Sequence, residues 1–256
     1  MTTLIDTHIH LDGDEYAADR SEVMARAAEA GVSKMLIPAI DEASSQHILS
    51  LCAQHPGTLY PMIGLHPEEV RPDWEDALRG IHNLITPNVI AIGEVGLDFY
   101  WSREFESEQI QAFEEQVHWA IEKRLPLMIH CRKAQNEMIH ILRRYADDLV
   151  GGVFHCFTGN LQEAEQLLAF PGFALGIGGV LTFKKSHLPE VLPHIPLNRI
   201  VLETDAPYMA PVPMRGKRNE SAYITHIAER AAQALNITTL ELAEATTANA
   251  QRIFHI

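Results

Sequence analysis

Along the chain, short apolar runs alternate with longer stretches in which apolar residues recur at helical spacing. An extended run places successive side chains on opposite faces, whereas a helical stretch gathers its apolar residues on one side. The first run begins at Leu4 and ends in Asp6-Thr7-His8-Ile9-His10, and a helix is expected over Asp19 to Ala30, stopped by Gly31. The pattern then predicts strands over Lys34 to Ala39, Leu59 to Leu65, Val89 to Glu94 and Leu127 to His130. Further strands are expected over Gly152 to His155, Phe173 to Ile177 and Ile200 to Asp205. Helices are predicted over Ala43 to Gln54, within Trp74 to Ile85, and over Glu104 to Lys123, Gln135 to Tyr145 and Leu161 to Ala169. A short helix over Leu188 to Leu192 and two closing ones over Ala222 to Leu235 and Thr239 to Phe254 complete the set. Regular alternation of this kind marks repeated βα units on a parallel sheet. With eight strand candidates, 256 residues and no Pro- or Ser-rich linker, the expectation is an α/β fold, a TIM-type (β/α)8 barrel forming one domain over 1–256.

In such a barrel every strand delivers its C-terminal residue to the same rim. His8 and His10 share one face of an extended chain and can grip one metal ion. Asp6 shares their parity, and reads either as a carboxylate that orients a ligand imidazole or as a cap on a neighbouring backbone group. The full set delivered to the rim is His8, His10, Glu94, His130, His155 and Asp205. Taken singly, each is as well explained as a satisfied buried histidine or a capping acid. Six together at strand ends point to metal, and four imidazoles with two carboxylates exceed what one tetrahedral ion needs. Two divalent ions sharing a ligand are therefore expected. Glu94, with two oxygens and a strand between the two histidine pairs, is the expected bridge; His8, His10 and Asp205 go with one ion, His130 and His155 with the other.

A metal pair lowers the pKa of a water held between its ions and polarises the bond under attack, so the reaction class is hydrolysis. Asp205 is expected to take the proton from that water and pass it to the leaving group, with Glu94 as the other catalytic carboxylate. Glu203 has the same inward parity as Asp205, and reads equally as a support for the site or as part of an ion pair deeper in the barrel. Cys131 and Cys156 fall on the opposite parity and read as packing residues.

Charge narrows the partners. A formal net charge of -14 opposes passive wrapping of duplex nucleic acid, yet permits an enzyme that meets phosphate at one local cationic site. Several cations do follow strand ends: Arg132 and Lys133, Lys184 and Lys185, and Arg215, Lys217 and Arg218. Arg132 and Arg218 are the chosen contacts for a phosphodiester backbone, the alternative being solvated loop charges. His66, followed by Pro67 and acids, is expected to touch substrate or support the site without ligating. Phe99, Tyr100 and Trp101 either stack an unpaired base or fold onto their own cluster. Three cysteines, no 18-residue apolar run and no export leader suggest reduced thiols, a cytoplasmic location, no membrane contact and a monomer.

These stretches carry a resemblance. Ile5-Asp6-Thr7-His8-Ile9-His10, Gly64-Leu65-His66-Pro67, Gly93-Glu94-Val95-Gly96-Leu97-Asp98, Ile129-His130-Cys131-Arg132, His155-Cys156-Phe157-Thr158-Gly159 and Leu202-Glu203-Thr204-Asp205-Ala206-Pro207-Tyr208 together resemble the TatD family of metal-dependent hydrolases, among the amidohydrolase-like barrels, over essentially the full length. The resemblance carries metal ligands onto His8, His10, Glu94, His130, His155 and Asp205. It implies a divalent-metal deoxyribonuclease, often a 3′ to 5′ exonuclease, acting here on single-stranded or terminal DNA. The chain departs from the family at Ser221, where Pro is common, and from many amidohydrolases at Glu94, where they use a carboxylated lysine. Imidazole-rich ligation suits Zn, Mn, Fe or Ni, whereas the resemblance implies turnover supported by Mg. Two other functions compete: hydrolysis of a small cyclic amide, lactone or phosphoester, and a non-catalytic metal-binding barrel.

Overall fold

A computed structural model of the chain describes residues 3–256; positions 1–2 of the expected 1–256 unit lie outside the described residues. Eight strands lie in sequence order in one parallel sheet: β1 (Leu4–Asp6), β2 (Val32–Pro38), β3 (Leu59–Ile63), β4 (Ala91–Asp98), β5 (Leu127–Arg132), β6 (Gly152–Phe154), β7 (Phe173–Ile177) and β8 (Ile200–Leu202). The helices are α1 (Arg20–Glu29), α2 (Glu42–Gln54), α3 (Trp74–His82), α4 (Glu106–Lys123), α5 (Gln135–Arg143), α6 (Leu161–Leu168), α7 (Leu188–Val191), α8 (Ile224–Leu235) and α9 (Thr239–Phe254). The ring nearly closes where β1 meets β8: the Thr7 N–H donates to the Leu202 carbonyl at 3.1 Å, and Ile9 bridges in parallel to Ala206. The expected (β/α)8 barrel is the fold observed.

Local chemistry accounts for the helix starts. α2, α6 and α9 each begin with a reciprocal capping box, formed by Asp41 with Ser44, Asn160 with Glu163 and Thr238 with Glu241. In each pair the side chains satisfy backbone N–H groups that have no partner within the helix.

Inside the ring the lower half is apolar. Ile5, Leu36, Met62, Ala91, Met128, Val153, Ala174 and Val201, one residue from each strand, form a layer that Ala250, Ile253 and Phe254 of α9 cover. Above it the interior turns polar, and several strand ends depart from expectation there. β4 does not stop at Glu94 but pairs with β5 as far as Asp98 opposite Arg132, with a register irregularity between Ile92 and Val95. Such an irregularity changes which face a side chain takes; with Ala91 already pointing inward, it lets Glu94 point inward as well. β1 and β8 end earlier than expected, at Asp6 and Leu202, because the segments beyond them join the ring by single bonds instead of a continuous ladder.

Candidate metal centre

The upper interior brings together all six residues expected at the rim, organised around the Glu94 carboxylate, which is 2% exposed. Its Oε2 lies 3.2 Å from His8 Nε2 and 3.6 Å from His10 Nε2. Those two nitrogens are 3.3 Å apart, and Asp205 Oδ1 is 3.8 Å from each. Its Oε1 lies 2.8 Å from His155 Nε2 and 3.0 Å from His130 Nδ1, which are themselves 3.2 Å apart. One carboxylate thus faces two separate nitrogen groups with its two oxygens.

A divalent cation fits these donors. Tetrahedral ligation with bonds of about 2.0–2.1 Å puts neighbouring ligand atoms about 3.3–3.4 Å apart; the distances of 3.2 to 3.8 Å on the Oε2 side of Glu94 bracket that value, and those of 2.8 to 3.2 Å on the Oε1 side fall just below it. Without a cation, two imidazole nitrogens facing each other at 3.3 Å share at most one proton.

Second contacts bear on which ring nitrogen His130 and His66 present. His130 Nε2 lies 2.9 Å from Asp98 Oδ2. A carboxylate accepts, so Nε2 donates to Asp98; with a cation between the donors, the Nδ1 lone pair would be the one turned toward Glu94 and His155. His66 is the reverse case: its Nδ1 accepts the Glu68 N–H at 3.1 Å, so Nε2 carries the proton and points it at Glu94 Oε1, 3.3 Å away. His66 sits among the cluster as a donor, which suits a contact to substrate better than ligation. Asp98, buried at 2% exposure, was missed from sequence; its only signal there was its place at the end of the Gly93 to Asp98 motif. Gly96 makes the pairing possible, since its φ of 142° and a carbonyl of His130 lying where a Cβ would go leave no room for a side chain.

Electrostatics follow from the crowding. Burial works to raise the Glu94 carboxyl, but His155, His66 and His8 outweigh it and hold Glu94 well below the usual range. Burial, reinforced by His155, pushes His8 down to about 3, while Glu94 overcomes burial and lifts His155 to about 10. The two rings stack at 4.0 Å with planes 9° apart, which is why His155 adds to burial in lowering His8. Burial raises Asp205 above the ordinary carboxylate range.

Beneath the centre Glu203 is fully buried and raised to about 8 by that burial. It accepts the Cys156 N–H, and its Oε1 lies 3.8 Å from His155 Nδ1; among the described residues no arginine or lysine pairs with it. Gly176 leaves the space for it, since a Cβ there would fall on the Glu203 carboxylate. Asp6 contacts no ring. It accepts from the Thr204 N–H at 2.9 Å, the Thr204 hydroxyl at 2.7 Å and the Ser221 hydroxyl at 2.7 Å, the backbone-capping alternative. Ser221, where the family commonly has Pro, thereby gains a buried bond. The cysteines are unpaired, and Cys131 packs against the core.

The cationic rim needs correction. Arg218, expected at the substrate, is held by both oxygens of Asp19 at 2.8 and 2.7 Å and by the Glu15 carbonyl, and lies over the Tyr16 ring. Its donors tie the loop after β8 to the start of α1. Arg215 stacks on Phe183 and donates to the Ala210 carbonyl. Arg132 differs: it lies 3.7 Å from the centroid of Tyr100 and has no carboxylate partner among the described residues. No helix of the described residues is long and apolar enough to cross a membrane.

The chain is similar to known proteins over nearly its whole length. The chain is 36% identical over 255 residues to the uncharacterized metal-dependent hydrolase YabD of Bacillus subtilis, covering 99% of each. It is 37% identical over 260 residues to the 3′-5′ ssDNA/RNA exonuclease TatD of Erwinia tasmaniensis, covering 99% of this chain and 100% of that one. The crystal structure of YJJV, a TatD homolog from Escherichia coli, superposes with a TM-score of 0.92 at 29% identity, covering 99% of this chain and 98% of that one. With the family model for TatD related DNase matched over residues 5–255, the chain belongs to that family.

Proposed function

We propose that the protein is a divalent-metal-dependent phosphodiesterase that cleaves nucleotides from single-stranded or terminal DNA, in the 3′ to 5′ direction of its named exonuclease relatives. The observation that carries this reading is the Glu94 carboxylate, whose two oxygens each face their own group of imidazoles. His8, His10 and Asp205 would hold one ion, His130 and His155 the other, and Glu94 both. When bound, the ions supply Lewis-acid polarisation of the phosphoryl group and an acidified water, the chemistry that allows hydrolysis near neutral pH. Asp205 takes the proton of the attacking water and returns it to the leaving oxygen; its side chain is 13% exposed at the mouth, and burial has already raised its proton affinity. His66 offers its Nε2–H to a non-bridging phosphoryl oxygen. Asp98 fixes the tautomer of His130, and Glu203 supports His155 from below. The imidazole-rich set favours Zn, Mn, Fe or Ni for tight binding, while Mg supports turnover.

The net charge of -14 favours a second reading, hydrolysis of a small cyclic amide, lactone or phosphoester. One experiment separates them: metal-depleted protein resupplied with each divalent ion, tested on labelled single-stranded DNA, duplex DNA, RNA and small esters. Cleavage of single-stranded DNA above all others is the expected result, and turnover of small esters alone would overturn it.

A further inference from the structure

The aromatic run after β4 divides in the folded chain. Phe99 is buried at 7% exposure and lies under the Arg103 guanidinium, 4.8 Å from its centroid. Tyr100 and Trp101, by contrast, are 49% and 67% exposed and meet edge to face, with centroids 4.8 Å apart. Water on so much aromatic surface is unfavourable, and the loop does not fold over it. Against these rings lies Arg132, 3.7 Å from Tyr100 and 5.2 Å from Trp101. It is a cation with aromatic neighbours and no carboxylate partner among the described residues.

The group is fastened to the centre from both strands. Asp98 accepts the Tyr100 N–H at 2.8 Å on one oxygen and contacts His130 Nε2 at 2.9 Å on the other. Arg132 follows His130 by two residues, and its carbonyl accepts the Phe99 N–H at 2.9 Å. A ligand seated on these rings is therefore held in fixed relation to the β5 histidine.

We propose that Trp101, Tyr100 and Arg132 form a nucleotide subsite beside the centre, in which the aromatic pair stacks an unpaired terminal base and the guanidinium binds that nucleotide's phosphate. The chemistry of the three matches two parts of one ligand. Exposed rings take the flat face of any base, and a guanidinium held flat on an aromatic ring keeps its N–H edges for phosphate oxygens. A base inside a duplex is stacked on both faces and cannot reach the platform, so the subsite selects frayed or single-stranded ends. The inference rests on the phosphodiesterase reading and names the substrate feature that its site recognises.

The test uses the full-length, metal-loaded chain and a short thymidylate strand, either intact or with an abasic tetrahydrofuran unit replacing the terminal nucleoside. Trp101→Ala should raise KM about tenfold or more for the intact strand, at least five times the change seen with the abasic strand. Trp101→Phe should restore most of the loss, and Arg132→Ala should raise KM for both strands. As a readout independent of turnover, a phosphorothioate strand that resists hydrolysis should quench tryptophan fluorescence in the wild type but not in Trp101→Ala. The other two tryptophans, Trp74 at the start of α3 and the buried Trp119 in α4, are kept in Trp101→Ala, so the difference between the two proteins reports Trp101. Equal effects of Trp101→Ala on the two strands, or no quenching in the wild type, would overturn the subsite. Quenching without cleavage under any divalent ion would remove the phosphodiesterase reading and leave the subsite standing.

Discussion

The two halves of the barrel interior are built from the same strands by opposite rules. Below, each strand contributes one apolar side chain to a layer closed by α9; above, Glu94, His8, His155 and Glu203 are buried polar groups at 8% exposure or less. The lower layer gains by excluding water, at about 1.5–3 kcal/mol for each large side chain buried. The upper half holds groups whose burial is costly unless each finds a partner. Its nitrogens and carboxylates find theirs in one another only partly: His8 Nδ1, His155 Nδ1 and one oxygen of Glu203 have none. The lower half explains why the barrel stands; in the upper half the ring nitrogens that face Glu94, namely His8 Nε2, His10 Nε2, His130 Nδ1 and His155 Nε2, are the donors that a cation would complete.

The difference can be broken most severely at Glu94. Glu94→Gln keeps the shape but halves the acceptor capacity and removes the charge facing both imidazole groups. Activity should fall on the order of 10²- to 10⁴-fold, with metal content per chain reduced when measured by elemental analysis. A mutation in the lower layer should do the opposite. Leu36→Ala opens a cavity costing about 2–5 kcal/mol and lowers Tm by roughly 5–15 °C, while bound metal per folded chain stays the same; parallel loss of metal would show that the halves are not independent.

A smaller effect comes from pH. In the metal-free protein His155 is raised from 6.5 to about 10 and Glu203 from 4.5 to about 8. A group whose folded pKa is raised contributes stability that is full below its unfolded pKa and is lost as pH passes through the folded value. Glu203 therefore loses its contribution between pH 4.5 and 8 and His155 between pH 6.5 and 10, so Tm of metal-free protein should fall across pH 4.5 to 10, by on the order of several degrees. Saturating divalent metal should flatten that slope, because ligation displaces the proton from His155; scanning calorimetry with and without metal checks both. The smallest change belongs at the boundary of the halves. Ser221→Ala removes the hydroxyl that donates to Asp6 and should cost about 1–3 kcal/mol, read by urea denaturation, with KM unaltered.

Much of this was legible before the fold was known. The histidines of β5 and β6 could be found because parity is a local property: Met128 and Val153 point into the lower layer, and two residues further on His130 and His155 point the same way. Val201 and Glu203 obey the same rule at the end of β8, while Asp205 lies beyond the strand at a φ of 54°. Glu94 was found for a different reason, its chemistry, since the strand that carries it has a register irregularity between Ile92 and Val95 that no parity count anticipates. Asp98 was overlooked because its partner, His130, comes from the neighbouring strand. Arg218 was misplaced because Asp19, which holds it, lies 199 residues away in sequence.

By itself, then, the sequence determined the alternation of strand and helix, the eight-fold count and the donor types at the strand ends, all of which depend on neighbours within a few residues. The tertiary structure alone decided which nitrogen His66 and His130 turn inward, which arginine keeps a free guanidinium, and that Asp6 caps backbone instead of steering a ring. Those outcomes depend on hydrogen bonds and stacking between segments that meet only when the ring closes, and such contacts leave no periodic trace along the chain.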